Sequence, residues 1–236
     1  MDLYNLTYVL AIAAMIFSLY AQFRVHSIYK KHSRTENKKG LTGAEAAQKL
    51  LESGGITSMT IEEIPGSLTD HYDPRSEVLR LSKEVMNGKS LSALGIAAHE
   101  AGHALQHGEA YGPLMARQNF VGVANFGSKL SIPIVFLGIV LMNMNVDSGL
   151  GSFLVTVGLL MFSAVVLLSL ITLPVEFNAS ARAVELLESN GILTEDELVP
   201  VKQVLRAASW TYIAATLSAV LTLLRLVLMS RGSRRR

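Results

Sequence analysis

His99, Glu100 and His103 stand in the order His-Glu-x-x-His within "LGIAAHEAGHALQHGEAYGP", residues 94–113, a stretch that holds three of the chain's 6 histidines. Its small and apolar flanks, with no proline before Pro113, read as helix. On a helix, residues four apart lie one turn above each other on the same face. Two imidazoles so placed can converge on one ion, and Glu100 between them is close enough to take a proton from a water held there. Two imidazoles plus a carboxylate suit Zn2+, with water in the remaining position. The competing reading is a polar stripe at a membrane interface. Against it, imidazole and carboxylate groups on an otherwise apolar helix are costly to bury unless paired. The chain has no cysteine, so any metal must be held by nitrogen and oxygen donors.

His107 continues the same face but lies about 12 Å along the axis from His99, too far to share one ion. The stretch also lacks the chain-reversing glycine and distant third histidine of a metzincin. His107 is therefore expected in a supporting or surface position. His26 and His32, in a basic segment, are expected in solvent. The third ligand must come from elsewhere, and the best candidate is Glu176 in "LPVEFNASARA", directly after an apolar run. Two apolar runs separate His103 from Glu176, an even number, so the chain returns to the same side of a membrane. A carboxylate at that boundary costs desolvation unless a cation sits beside it. The alternative for Glu176 is a helix-start acid favoured by the macrodipole. Glu185 and Glu188, further along, are expected on a solvated face.

The elements that must position these groups follow from the apolar pattern. Of 236 residues, 50% are apolar and 17% charged, with mean hydropathy +0.36, which argues against a single soluble domain. Four apolar runs, at about 3–23, 131–146, 153–175 and 209–229, approach the roughly 20 residues that cross a hydrocarbon core. The first starts "MDLYN" and is followed, not preceded, by basic residues, which favours a retained anchor over a cleaved signal peptide. The second is the shortest and reads as a span, or as a tilted or re-entrant segment. Arg24, Lys30, Lys31, Arg34, Lys38 and Lys39 against Glu36 place the loop after the first run on the cytoplasmic side. "MNMNVDSGLG", without Lys or Arg, fits the outside. The tail "SRGSRRR" conflicts with four full spans, so either the last run lies along or partly within the membrane, or the tail is an exception. A formal charge of +2 gives no support for nucleic acid, and basic residues beside apolar spans fit anionic lipid head groups.

Between the spans, Thr42 and Glu45 form a capping box for a helix over 43–52 that Gly54-Gly55 stops. Alternation predicts strands at 57–63 and 77–82, punctuated by Pro65-Gly66 and Asp73-Pro74, with Asp70 and Asp73 as turn formers. Helix resumes near Ser90, and another over about 113–129 leads into the second span. A helix over 175–189 ends at Asn190-Gly191, after which Thr194 and Glu197 form a second capping box. The expected fold is a mainly α membrane protein with a small α+β zincin-like metallopeptidase domain and about four transmembrane helices. Its parts are an anchor at 2–23, a cytoplasmic-side zincin-like part at 24–130, a transmembrane hairpin at 131–175, a helical part at 176–208 and a C-terminal membrane helix at 209–230.

"HEAGHALQH", "LTDHYDPRSEVLRLS" and "LPVEFNASARA" together resemble the YugP-type neutral zinc metallopeptidases of bacterial membranes, gluzincin relatives of HtpX and the prenyl-protein CAAX endopeptidases. The resemblance runs from the first span to about residue 215. It implies that His99, His103 and Glu176 bind Zn2+ and that Glu100 is the catalytic base. Four residues after the ligand glutamate, where the HtpX-type relatives usually have aspartate, this chain has Ser180, which can still hydrogen-bond a zinc histidine. The resemblance further implies that 77–82 is an edge strand pairing with an extended substrate, by strand addition.

These readings point to a membrane-embedded zinc endopeptidase that hydrolyses polypeptides, membrane-associated ones foremost, by metal-activated water. The expected location is the bacterial inner membrane, multi-pass, with the site on the cytoplasmic side. His71 and Arg182, which lie beside the motifs, are the preferred donors to a developing oxyanion, ahead of Tyr72 and Tyr111. The other class of function is a non-catalytic zinc-binding membrane scaffold. Structural zinc fills all four positions with protein ligands, whereas three strong ligands are visible here. Nothing in the sequence sets the oligomeric state.

Overall fold

The computed structural model describes residues 3–144 and 148–233. Among the described residues, seven helices and three strands follow in the order α1 (Leu3–His32), α2 (Gly43–Ser53), β1 (Thr60–Ile64), β2 (His71–Asp73), β3 (Val78–Ser82), α3 (Lys83–Met86), α4 (Leu91–Gly108), α5 (Gly112–Asn143), α6 (Ser148–Ser189) and α7 (Glu195–Ser233). Among the described residues, α1, α5, α6 and α7 are long and apolar enough to cross a membrane. The protein is a mainly α membrane protein with a small α+β part. Its chain separates into two compact units.

The membrane unit takes α1 up to Tyr20, Ala116–Leu173 and α7 from Thr211 onward. Here α5 and α6 pack antiparallel through glycines: Gly127 lies against the Met161 carbonyl, Gly138 against Gly151 and Val155, and Gly158 against Ser131 and Val135. Without a Cβ at these positions the two backbones approach closely, the usual basis of helix association in lipid. At 32 residues α5 is about 48 Å long, so the second apolar run is a full-length helix rather than a re-entrant turn. Pro133 and Pro174 sit inside α5 and α6 without ending either helix. The Arg225 guanidinium stands 4.0 Å from the Tyr8 ring centroid, and Ser18 Oγ and Ser218 Oγ are 3.4 Å apart. These two pairs make α7 run antiparallel to α1. Arg234 to Arg236 of the basic tail, and 145–147 of the loop assigned outside, lie beyond the described residues. Val9, Ile12, Phe126, Phe153 and Leu160 are exposed, as lipid-facing side chains are.

The second unit comprises Ala21–Met115 and Pro174–Trp210. α2 begins with the complete Thr42/Glu45 capping box. The second box is half formed. Glu197 reaches back to the Thr194 amide at 3.0 Å, but the Thr194 hydroxyl donates to Glu197 and Asp196 instead of accepting from the helix. The single Thr194 hydroxyl proton is shared between the Asp196 and Glu197 carboxylates, and the oxygen accepts from Lys38 Nζ at 3.2 Å. The core joins α2, the sheet, α4 and the lower parts of α6 and α7, with Leu50, Leu51, Leu79, Leu94, Leu187 and Leu198 fully buried.

Several expectations are corrected here. No strand was expected at 71–73, where only Asp73 was read as a turn former, yet β2 forms the third strand. The sheet order is β1-β3-β2, with β3 parallel to β1 and antiparallel to β2. β3 is thus central, and the expectation of an edge strand at 77–82 fails because both of its sides are paired. Asp70 does more than turn the chain: it accepts from the Ser82 amide and hydroxyl at 2.7 and 3.0 Å and so closes the end of β3. Asp73 does act as a turn former, accepting from the Arg75 amide and the Ser76 hydroxyl. His32 is buried rather than solvated, because α1 carries it onto Gln203, whose Oε1 is 3.0 Å from Nε2. Residues 175–189 continue the third span as one helix, and 195–233 is likewise unbroken.

Candidate metal centre

The centre lies where α4 meets α6 within the second unit. α4 starts at Ser90, whose Oγ accepts from the Ala93 amide at 3.1 Å, and runs 18 residues with Ala97, Ala98, Ala101 and Ala104 buried. These small side chains let neighbours come close. The nearest approach is at Gly102, where a Cβ would meet the Ala179 carbonyl oxygen of α6 at 2.9 Å. Gly102 immediately precedes His103, and Ala179 is three residues after Glu176. The same contact therefore brings the histidines and the glutamate together.

One nitrogen from His99, one from His103 and one oxygen from Glu176 lie within 4.8 Å of one another. Nε2 of His99 and of His103 are 3.2 and 3.4 Å from the same oxygen, Oε2 of Glu176. For ligands about 2.05 Å from a tetrahedral zinc, the edge of the tetrahedron is about 3.3 Å. The two nitrogen-to-oxygen spacings fit that edge. The side chains of His99 and His103 are 13% and 10% exposed and that of Glu176 only 3%, so access is from the imidazole side.

The far nitrogens are also held. Nδ1 of His99 is 3.2 Å from the Ser180 hydroxyl, the position where the HtpX-type aspartate is replaced. Nδ1 of His103 is 3.0 Å from Gln106 Oε1. Such outer contacts orient ligating imidazoles. Burial opposes a charge on His103, yet the Glu176 carboxylate beside it and Glu100 carry its pKa above the ordinary value.

Glu100 is buried, and its Oε2 accepts from the Tyr72 amide of β2 at 3.1 Å. Burial pushes its carboxyl above the usual carboxylate range, with His99 and His103 opposing the shift. His71, one residue earlier in β2, places Nδ1 2.9 Å from the Thr69 carbonyl. Since a carbonyl only accepts, Nδ1 carries the proton, and Nε2 is a donor only in the imidazolium form. Arg182 is turned to other partners: Nε donates to Asn178 Oδ1 at 2.8 Å, and both terminal nitrogens reach the Glu109 carboxylate at 2.7 Å. The guanidinium holds Glu109 below its usual pKa. His107 supports the Tyr72 hydroxyl at 2.7 Å, and burial pushes the Tyr72 phenol up to about 12. Tyr111 donates its amide to the Gln106 carbonyl at the end of α4, and Glu185 and Glu188 are exposed.

Sequence reasoning missed Gln106 and Asn178. Gln106 stands three residues after His103 and 0% exposed, an amide on the buried stripe of an alanine-rich helix. That signal was available, because a buried amide needs partners for all its polar atoms.

A family model described as "putative neutral zinc metallopeptidase" matches residues 7–231. The chain is also similar to "Putative membrane protease YugP" of Bacillus subtilis (strain 168), with 45% identity over 226 residues, covering 95% of this chain and 96% of that protein. Comparison with solved structures returned no match.

Proposed function

The chain belongs to the neutral zinc metallopeptidase family, and from that premise we propose that it is a membrane-embedded zinc endopeptidase of the gluzincin type. The observation that carries this reading is the meeting of His99, His103 and Glu176 within 4.8 Å of one another, with Glu100 alongside. Three protein donors with side access leave a fourth position, as catalytic zinc requires and structural zinc does not.

Bound zinc would supply Lewis acidity to a scissile carbonyl and to water. Glu100 takes a proton from the attacking water as its oxygen bonds to the carbonyl carbon, then delivers that proton to the amine as the C–N bond breaks. His71 is the donor proposed for the developing oxyanion, and Arg182 acts at a distance by holding Asn178. The substrate is an extended polypeptide, membrane-associated in keeping with the four apolar helices. With β3 central, β1 and β2 are the edges among the described strands, and β2, which the Tyr72–Glu100 bond holds beside the motif helix, is the one proposed to accept it. The basic loop after α1 supports a multi-pass bacterial inner-membrane protein with its site on the cytoplasmic side.

The test is hydrolysis of an unfolded polypeptide by the zinc-loaded full-length protein and its Glu100→Gln variant. The reading requires zinc in both and cleavage by the parent alone. Equal cleavage would remove Glu100 from the chemistry. No cleavage by a zinc-loaded parent across varied polypeptides would favour the scaffold.

A further inference from the structure

We propose that Gln106 is a positioning residue that locks the ring of His103 for metal binding, and that Arg182 acts on it through Asn178. The inference rests on the zinc reading above. Amide groups are ambiguous in orientation, since their oxygen and nitrogen ends have similar shape. Here both ends of a hydrogen-bonded chain are unambiguous. At one end, Gln106 Nε2 donates to the Val175 backbone carbonyl at 2.9 Å, and a carbonyl can only accept. At the other, Arg182 Nε donates to Asn178 Oδ1 at 2.8 Å, and a guanidinium can only donate. Between them, Gln106 Nε2 donates to the same Asn178 Oδ1 at 2.8 Å.

Both protons of the Gln106 amide are thereby committed. Its Oε1 is the atom facing His103, 3.0 Å from Nδ1, so Nδ1 must carry hydrogen. In the neutral ring that leaves the Nε2 lone pair, on the side of Glu176, free for a cation. Arg182 is itself fixed by two bonds to Glu109. His99 has no such lock. Its Nδ1 meets the Ser180 hydroxyl, which donates or accepts as required. The two histidines of the motif are therefore unequal: the His103 ring is set in advance, and the His99 ring adapts.

The test uses metal-stripped full-length protein in detergent, with zinc affinity measured by competition against a chromophoric chelator. The variants are Gln106→Leu, Arg182→Met and the double substitution. Gln106→Leu is expected to weaken zinc binding about 10- to 100-fold, the usual cost of losing an outer partner. Arg182→Met, two bonds further away, should cost less, and the double variant should match Gln106→Leu to within about twofold. In zinc-loaded parent, the His103 Nδ1 proton should exchange slowly by 15N-edited NMR, and in Gln106→Leu quickly. A merely structural glutamine would lower the melting temperature without moving the zinc affinity or that proton. Parent-like affinity in Gln106→Leu, or losses that add in the double variant, would overturn the proposal. Should Gln106→Leu fail to fold, Arg182→Met decides: weaker zinc at unchanged melting temperature supports the chain of bonds, and unchanged zinc overturns it. A parent that binds no zinc would overturn the metal reading itself, and this inference with it.

Discussion

The Tyr72 amide donates to Oε2 of Glu100 across 3.1 Å, joining the outer side of strand β2 to the acid of the histidine helix. That single bond offsets only part of the cost of burying a carboxylate, because the environment still holds the Glu100 carboxyl above its ordinary pKa. The folded, metal-free protein therefore binds the Glu100 proton more tightly than the unfolded chain does.

A stability change of definite sign follows. A carboxyl whose folded pKa is raised destabilises the fold once pH rises above the unfolded value, near 4.3, and the penalty levels off above the folded value. Gln at position 100 keeps an oxygen for the Tyr72 amide and carries no charge. Metal-free Glu100→Gln should thus melt higher than the metal-free parent at pH 7, by about 2–4 °C for each kcal/mol removed. The gap should close toward pH 4. Thermal melts of both proteins across that range check it, and a variant that melts lower at pH 7 would refute the sign.

Gly102 is the point of closest approach between the motif helix and the helix of the third ligand. A methyl group there meets Ala179 backbone, which cannot rotate away as a side chain would. Gly102→Ala should cost about 1–3 kcal/mol, and it should weaken zinc binding by parting the imidazoles from Glu176. A variant with lower melting temperature and undiminished zinc affinity would show that the site does not depend on this contact.

Ser180 stands 3.2 Å from Nδ1 of His99, where it can serve either tautomer. Ser180→Ala should reduce zinc affinity by no more than about tenfold, at the low end for outer partners. Chelator competition provides the measurement. A larger loss than that of Gln106→Leu would invert the proposed inequality of the two histidines.

The legible parts of the site are those governed by local spacing. His99 and His103 meet because a helix returns every four residues, and the Thr42/Glu45 box forms because both bonds lie within one turn. Glu176 was reachable through counting apolar runs, a long-range inference that membranes permit and soluble folds do not. β2 was hidden because its three residues lie between Asp70 and Pro74 and end on turn-forming Asp73, and only pairing with β3 makes them a strand. The central place of β3 was equally invisible, since alternation marks a strand but does not say which neighbours it has. His32 was misjudged from its basic neighbours; its partner Gln203 is 171 positions away. The orientation of Gln106 depends on Val175, Asn178 and Arg182, which no local pattern connects to it.

The central claim is that His99, His103 and Glu176 hold one zinc ion with a position left open. Zinc K-edge X-ray absorption on the zinc-loaded protein, with Glu176→Ala as control, tests it most directly. The account predicts one zinc per chain with two imidazole nitrogens and light-atom oxygens at about 2.0–2.2 Å, and loss of tight zinc binding in the control. Zinc bound by a different number of imidazoles, or held as tightly without Glu176, would contradict it.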